Sequence, residues 1–151
     1  MKPLFILLII FGIVTTISKI FHHQWNSVFA GSLAMSIMLL FTAIGHFAFS
    51  RGMIMMLPPV IPFKKQIIFS TGFIEILAAV GLLIISFRHL TSVLLIIFFA
   101  LILPANIYAA FKKIDYQKGN YEGRAINYLW FRVPLQVLFI AWVCYFGIFA
   151  N

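Results

Sequence analysis

The chain has 151 residues, of which 64% are hydrophobic and only 9% are charged, and its mean hydropathy is +1.09. Soluble domains carry about 25% charged residues, so this composition excludes a water-soluble fold, and its hydrophobicity excludes a disordered chain. The formal net charge is +8, but the basic residues lie in short breaks between apolar runs, which argues against nucleic-acid binding. The single cysteine, Cys144, excludes an internal disulfide and a Cys-x-x-Cys redox pair. These features predict an integral membrane protein.

Five apolar segments predict helices in chain order. The last four have the roughly twenty residues that cross about 30 Å of hydrocarbon. None shows the period-2 alternation of a membrane barrel. We therefore expect an all-α fold, a polytopic transmembrane helical bundle that forms a single membrane domain over residues 1–151. The predicted helices span about residues 3–17, 28–49, 66–87, 90–111 and 131–150.

The first segment has two interpretations. Lys2 followed by the apolar run 4–14 resembles the start of a signal peptide, but no small-x-small cleavage site follows. We expect an uncleaved helix beside a four-helix core, and the sequence leaves open whether this segment is retained.

The basic residues predict the orientation of the bundle. Only Lys19 and Arg88 fall on the side of the first and third loops. Because positive loops stay in the cytoplasm, we expect a cytoplasmic N-terminus and an external C-terminus. The basic residues on the cytoplasmic side are Lys2, Arg51, Lys64, Lys65, Lys112, Lys113, Lys118, Arg124 and Arg132.

Glu75 stands out because it is an acidic residue inside a predicted span. The other two acidic residues, Asp115 and Glu122, fall in the fourth loop. Glu75 follows Lys65 by ten residues, which places it roughly 15 Å along its helix, near the middle of the membrane. The residues three and four positions away on either side are small, so this face of the helix can pack closely. Intramembrane carboxyl groups are functional candidates by default.

Other polar residues fall in the same half of the membrane. His46 lies about 7 Å and Asn106 about 9 Å from the predicted cytoplasmic ends of their helices. Arg132 opens the last helix, and Gln136 shares its face. We expect nothing comparable in the outer half. The sequence thus predicts a polar ligand pocket built from His46, Glu75, Asn106, Arg132 and Gln136, with Arg132 as the partner of Glu75.

Each of these residues also has a structural interpretation, which the sequence leaves open. Glu75 can form a buried pair that fixes helix register, and His46 can bond free carbonyl groups at a helix end. Asn106 can satisfy the backbone that Pro104 leaves without a donor. Arg132 can anchor to lipid headgroups.

Five motifs, taken together and in order, resemble the DoxX family of small bacterial membrane proteins. The similarity covers roughly residues 36–145. The first apolar segment departs from the four-helix core of that family. The motifs are Gly45-His46-Phe47, Met56-Leu57-Pro58-Pro59, Ser70-x-Gly72-x-x-Glu75, Leu103-Pro104-Ala105-Asn106 and Arg132-Val133-Pro134-Leu135-Gln136.

The resemblance implies a protein of the bacterial inner membrane that serves a membrane redox system as a subunit or accessory. It implies quinone as a cofactor, a membrane or redox protein as a partner, and the same five polar residues as its site. We expect contact with membrane lipid, no nucleic acid and no metal, and the chain is compatible with a homo-oligomer. A non-catalytic scaffold or assembly factor and a small proton-linked transporter are the alternatives, and the sequence leaves open whether the chain is an enzyme.

Overall fold

The computed structural model describes residues 2–22, 26–115, 117–121 and 129–150. Glu122 and Arg124, which the sequence places in the fourth loop, lie outside the described residues. The last helix continues as a π-helical segment, Tyr145–Phe149. The α-helices are α1 (Lys2–His22), α2 (Ser27–Ala48), α3 (Ser50–Met55), α4 (Lys64–Leu83), α5 (Ile85–Phe111) and α6 (Leu129–Cys144).

Five of these helices, all except α3, are long and apolar enough to cross a membrane, α6 together with the π segment. Helices α2, α4, α5 and α6 pack in a ring, with α6 and the π segment closing it against α2. Helix α1 packs on the outside against α2, where Leu7 is fully buried and the Phe11 ring meets the rings of Trp142 and Phe146. The predicted all-α bundle, a four-helix core with one extra N-terminal helix, is confirmed.

All four helices of this ring contribute to one cluster of buried hydrophobic residues. Each helix contributes residues spaced three or four apart, which is the spacing of one helical face. The outward faces are also apolar: Leu77 and Leu101 are 71% and 72% exposed. Such a surface suits lipid rather than water. The core residues include Ala34, Met35, Met38 and Leu39 of α2, Ala79 and Leu82 of α4, Leu95 and Phe99 of α5, and Phe139 and Val143 of α6.

Two glycines allow neighbouring helices to approach closely. A Cβ at Gly147 in the π segment would lie 2.7 Å from the Cβ of Ser92, and a Cβ at Gly81 would lie 3.1 Å from the Cγ2 of Thr91. Both positions therefore exclude any side chain unless the partner helix moves. They hold α5 against the π segment and against α4.

The connection between α4 and α5 differs from the sequence expectation. The predicted third span ran to residue 87 and the fourth began at 90, but α4 ends at Leu83 and α5 starts at Ile85. Ile84 alone joins them, in an extended conformation (φ −85°, ψ 113°). No glycine or proline marks this break, so the sequence carried no signal for its position.

The loops at the other end of the bundle are also more structured than expected. The predicted helices leave residues 50–65 as a loop, but α3 occupies its first part, and Lys64 Nζ donates a hydrogen bond to the Leu57 carbonyl (3.1 Å). The turn closed by Asp115 and Asn120 lies against Gly52 of α3. We call this end, where α2 and α5 finish and α1, α4 and α6 begin, the basic end.

Candidate functional site

Glu75 pairs with a histidine from the neighbouring helix. His46 Nε2 lies 3.4 Å from Glu75 Oε1, and the two side chains are 16% and 5% exposed. The sequence named Arg132 as the partner of Glu75; the structure gives it His46 instead. The other carboxyl oxygen, Oε2, is buried and has no hydrogen-bond partner, so it does not bind Arg132 either.

The level at which α2 ends beside α4 explains this pairing. Counted from Arg51 and from Lys65, the sequence predicts different depths for His46 and Glu75, about 7 and 15 Å. In the structure α2 stops at Ala48 and the chain turns into α3, which packs against α4. The last turn of α2 therefore lies level with the middle of α4. Gly72 permits the contact, since a Cβ there would lie 3.1 Å from the Cβ of His46.

Thr71 fixes the orientation of the His46 ring. Its hydroxyl donates to the Ile68 carbonyl (2.8 Å) and lies 3.0 Å from His46 Nδ1. A hydroxyl has one proton to donate, and here the Ile68 carbonyl takes it. When the hydroxyl donates to the Ile68 carbonyl, Thr71 Oγ1 can only accept from His46, and the proton of the ring then lies on Nδ1. Sequence reasoning noted Thr71 only as a small residue near Glu75.

A second polar pair joins α5 to α6. Asn106 Nδ2 donates to Gln136 Oε1 (3.1 Å), and both residues are buried. Gln136 Nε2 donates in turn to the Phe99 carbonyl. Pro104 has no N–H for the carbonyl four residues earlier, that of Ala100. Gln136 binds the carbonyl one residue before it, that of Phe99. Asn106 and Gln136 thus cross-link two helices where proline interrupts the backbone ladder.

The structure brings four of the five predicted site residues together as two pairs. No hydrogen bond or ion pair among residues 2–22, 26–115, 117–121 and 129–150 links the His46–Glu75 pair to the Asn106–Gln136 pair. Arg132 lies partly buried in the first turn of α6. A single pocket shared by all five residues stays a prediction.

Two cavities among the described residues are apolar and are lined by residues other than the five predicted ones. One, of about 270 Å³, lies between α4 and α5; the other, of about 190 Å³, lies between α1 and α6. The lining of the first cavity includes Ala78, which lies about one helical turn after Glu75 on α4. It is lined by Ile74, Leu77, Ala78, Thr91, Leu94, Leu95 and Phe98.

The opposite end of the bundle also buries polar groups, contrary to expectation. Arg88 is only 6% exposed and its Nε donates to the Leu82 carbonyl (3.0 Å), near the C-terminus of α4. A cation is favourable there because helix C-termini carry partial negative charge. Ser92 is fully buried and donates to the Arg88 carbonyl. The sequence missed this cluster because it assigned Arg88 to a loop, whereas α5 already includes it.

Within the part of the chain that the structure describes, acidic, histidine and cysteine side chains form no larger group. Among the described residues, no group of three or more His, Cys, Asp or Glu could hold a metal ion. The His46–Glu75 pair, with Thr71 behind it, is the titratable cluster that this part of the chain offers.

The fold and these contacts define a class of protein: a small multi-pass helical membrane protein with a polar pair inside an apolar bundle. A family model described as a domain of unknown function (DUF8561) matches residues 35–146, and the chain belongs to this family. The matched region runs from the middle of α2 into the π segment and leaves α1 out. No curated protein and no solved structure matches the chain.

Proposed function

We propose that this chain is a DoxX-like protein of the bacterial inner membrane that serves a quinone-linked redox system as a subunit or accessory. In this proposal the N-terminus and the basic end face the cytoplasm. The observation that carries the proposal is the buried Glu75, which has a histidine at one carboxyl oxygen and no partner at the other.

Proton exchange is the reason that this pair suits a quinone. Reduction of a quinone takes up protons, so a binding site in the membrane needs a group that can hold and release one. Imidazole and carboxyl groups are common proton donors and acceptors in protein sites, and an apolar setting strengthens their hydrogen bonds to a ligand. The apolar groove between α4 and α5 starts at Ala78, one turn from Glu75, and provides a surface for a hydrocarbon tail.

Ligand binding tests the proposal directly. The purified protein in lipid nanodiscs is titrated with a decyl-substituted benzoquinone in both redox forms. We expect saturable binding of at least one form, lost in the double variant His46→Leu/Glu75→Leu. This variant replaces both members of the pair with apolar residues, a change that buried pairs tolerate. Ser36→Ala, which removes a buried hydroxyl from α2, is the control and retains binding. Binding that survives the double variant would contradict the proposal.

The redox partnership needs its own experiment. The tagged protein, purified in mild detergent from its native membranes, is examined by optical difference spectroscopy. We expect a haem or flavin protein to co-purify with it. Two results together would contradict the accessory role: no redox-active protein co-purifies, and membranes of a strain that lacks the gene respire normally.

A non-catalytic scaffold is the second candidate, and the Asn106–Gln136 pair favours it. Those two side chains satisfy each other and a backbone carbonyl, so they need no ligand to explain them. A scaffold predicts that the His46→Leu/Glu75→Leu variant still supports growth and partner assembly, whereas the quinone-linked role predicts that it does not.

A further inference from the structure

We propose that Oε2 of Glu75 accepts a hydrogen bond from a hydroxyl group of a membrane-soluble ligand. The inference is drawn from the proton arrangement of Thr71, His46 and Glu75. Combined with the proposed function, on which this part rests, the inference means that the site binds the quinol more tightly than the quinone.

The first step is the proton on His46 Nδ1. The Thr71 hydroxyl donates its proton to the Ile68 carbonyl (2.8 Å). The 3.0 Å contact with Nδ1 is therefore a hydrogen bond only if Nδ1 donates. In the opposite arrangement Thr71 donates to Nδ1 and the proton of neutral His46 lies on Nε2. Glu75 is then a net negative charge in an apolar core, which is costly, or a neutral acid whose proton lies on Oε2. The neutral version makes one hydrogen bond fewer, because the Ile68 carbonyl loses its bond from Thr71, and it buries a hydroxyl donor without an acceptor. The neutral form of His46 consequently has a bare Nε2.

The second step is the proton between His46 and Glu75. A bare Nε2 and an ionised Oε1 are both acceptors, and two acceptors facing each other across 3.4 Å repel. One proton must therefore lie between them. It sits on Oε1, giving a neutral pair, or on Nε2, giving an imidazolium–carboxylate pair. Both arrangements have zero net charge, as a membrane interior requires.

The third step concerns Oε2. If the shared proton sits on Oε1, then Oε2 is the carbonyl oxygen of a carboxylic acid; if it sits on Nε2, then Oε2 belongs to a carboxylate. In both cases Oε2 accepts and cannot donate. A proton on Oε2 itself would restore the repulsion between Nε2 and Oε1 and would bury an unbonded donor. Since Oε2 is buried without a partner, the group that completes it has to be a donor.

The acceptor character of Glu75 Oε2 distinguishes between ligands of similar shape. A quinone presents two carbonyl oxygens, which only accept, whereas a quinol presents two hydroxyl groups, which donate. A neutral lipid with a free hydroxyl, such as diacylglycerol, has the same donor chemistry. An unmet buried acceptor costs enough that the donor ligand should bind about tenfold or more tightly than its acceptor counterpart.

The experiment compares four probes under anaerobic conditions in nanodiscs: decyl-benzoquinone, its quinol, the dimethyl ether of that quinol, and diacylglycerol. We expect the quinol to bind at least about tenfold more tightly than the quinone or the dimethyl ether. Equal binding of quinone and quinol would overturn the inference while leaving the proposed function intact. Glu75-dependent binding of diacylglycerol without quinol binding would support the acceptor site and overturn the quinone-linked function. Absence of binding by all four would overturn both.

Substitutions that reverse the hydrogen-bond polarity make the test sharper. In Glu75→Gln the amide nitrogen donates to the bare Nε2 and the amide oxygen takes the place of Oε2, so the preference for quinol persists. Adding Thr71→Val frees Nδ1 of its partner, and the proton moves to Nε2. The amide then turns its oxygen to Nε2 and its NH₂ group outward, and the double variant prefers the quinone.

Thr42 supplies the matched control. Its hydroxyl also donates to a carbonyl three residues earlier (2.9 Å) but contacts no histidine. Glu75→Gln/Thr42→Val should therefore keep the quinol preference of Glu75→Gln. If it reverses the preference as Thr71→Val does, or if Glu75→Gln/Thr71→Val keeps the quinol preference, the proton arrangement is wrong. Each of these variants retains a polar residue at position 75, so the comparison does not depend on Glu75→Leu folding.

Discussion

His46 Nε2 lies 3.4 Å from Glu75 Oε1 and ties the last turn of α2 to the middle of α4. The pair is nearly enclosed, and Thr71 holds the far side of the imidazole ring. This arrangement leads to a prediction about His46 itself, and the packing around it leads to three about stability.

Thr71→Val should move the proton of neutral His46 from Nδ1 to Nε2. The hydroxyl that accepts from Nδ1 is lost, while Nε2 keeps Glu75 as an acceptor. Solid-state NMR of ¹⁵N-histidine-labelled protein distinguishes the two tautomers, and a His46→Gln sample assigns the signal. Thr42→Val should leave the His46 signal unchanged. An unaltered tautomer in Thr71→Val would show that Thr71 does not set it.

His46→Leu and Glu75→Leu should each destabilise the protein by about 1–3 kcal/mol, because each leaves the partner's buried polar group unpaired. The double variant should cost less than the two single variants added together, since replacing a whole buried pair by apolar residues is often close to neutral. Unfolding in mixed micelles, monitored by circular dichroism, gives the four free energies of this cycle. Strictly additive costs would mean that the two residues do not interact.

Gln136→Leu should destabilise the bundle more than Asn106→Leu. Gln136 makes two hydrogen bonds, one to Asn106 and one to the Phe99 carbonyl, whereas Asn106 donates one. Each lost bond to a buried group costs about 1–3 kcal/mol, toward the lower end inside membranes. The same unfolding assay measures both variants. Both variants, where folded, should still bind ligand at Glu75. Loss of binding would show that the two pairs belong to one site.

Gly147→Ala should destabilise the protein strongly, because the new methyl group would overlap Ser92 at the contact between the π segment and α5. Overpacking of this kind costs about 1–3 kcal/mol or more. Gly12→Ala in α1 is the control: nothing lies within 4 Å of a Cβ there, and alanine favours the helix by roughly 0.5–1 kcal/mol. Thermal unfolding should show a lower Tm than the unmodified protein for Gly147→Ala and a higher Tm for Gly12→Ala. Partial rescue of Gly147→Ala by Ser92→Gly would locate the clash.

Composition and helix length were enough to predict the bundle, because a chain this apolar has few ways to satisfy its backbone in lipid. The same reasoning selected Glu75 and His46, since a titratable group inside a span is costly wherever it lies. It missed their contact, because depth was counted from Arg51 for His46 and from Lys65 for Glu75, and these two basic residues do not mark the same level.

The Arg88 cluster escaped sequence reasoning for a related reason. The break at Ile84 depends on how α4 and α5 pack, at Gly81 and Thr91, and not on a local turn signal. Likewise, the pairing of Gln136 with Asn106 depends on the relative rotation of α5 and α6, which neither helix specifies alone. The register between two helices is set by how they pack, so it could not be predicted from the residue pattern of either helix alone.

The single-residue connection at Ile84 also limits how the bundle can move. One residue spans at most about 3.6 Å, so the adjoining ends of α4 and α5 stay together, and the close contact of Gly81 with Thr91 reinforces this. The groove between the same two helices lies farther along them and includes Ile74 and Phe98 in its lining. A change in the spacing of α4 and α5 is therefore smallest at Ile84 and larger toward the middle of α4, where Glu75 meets His46.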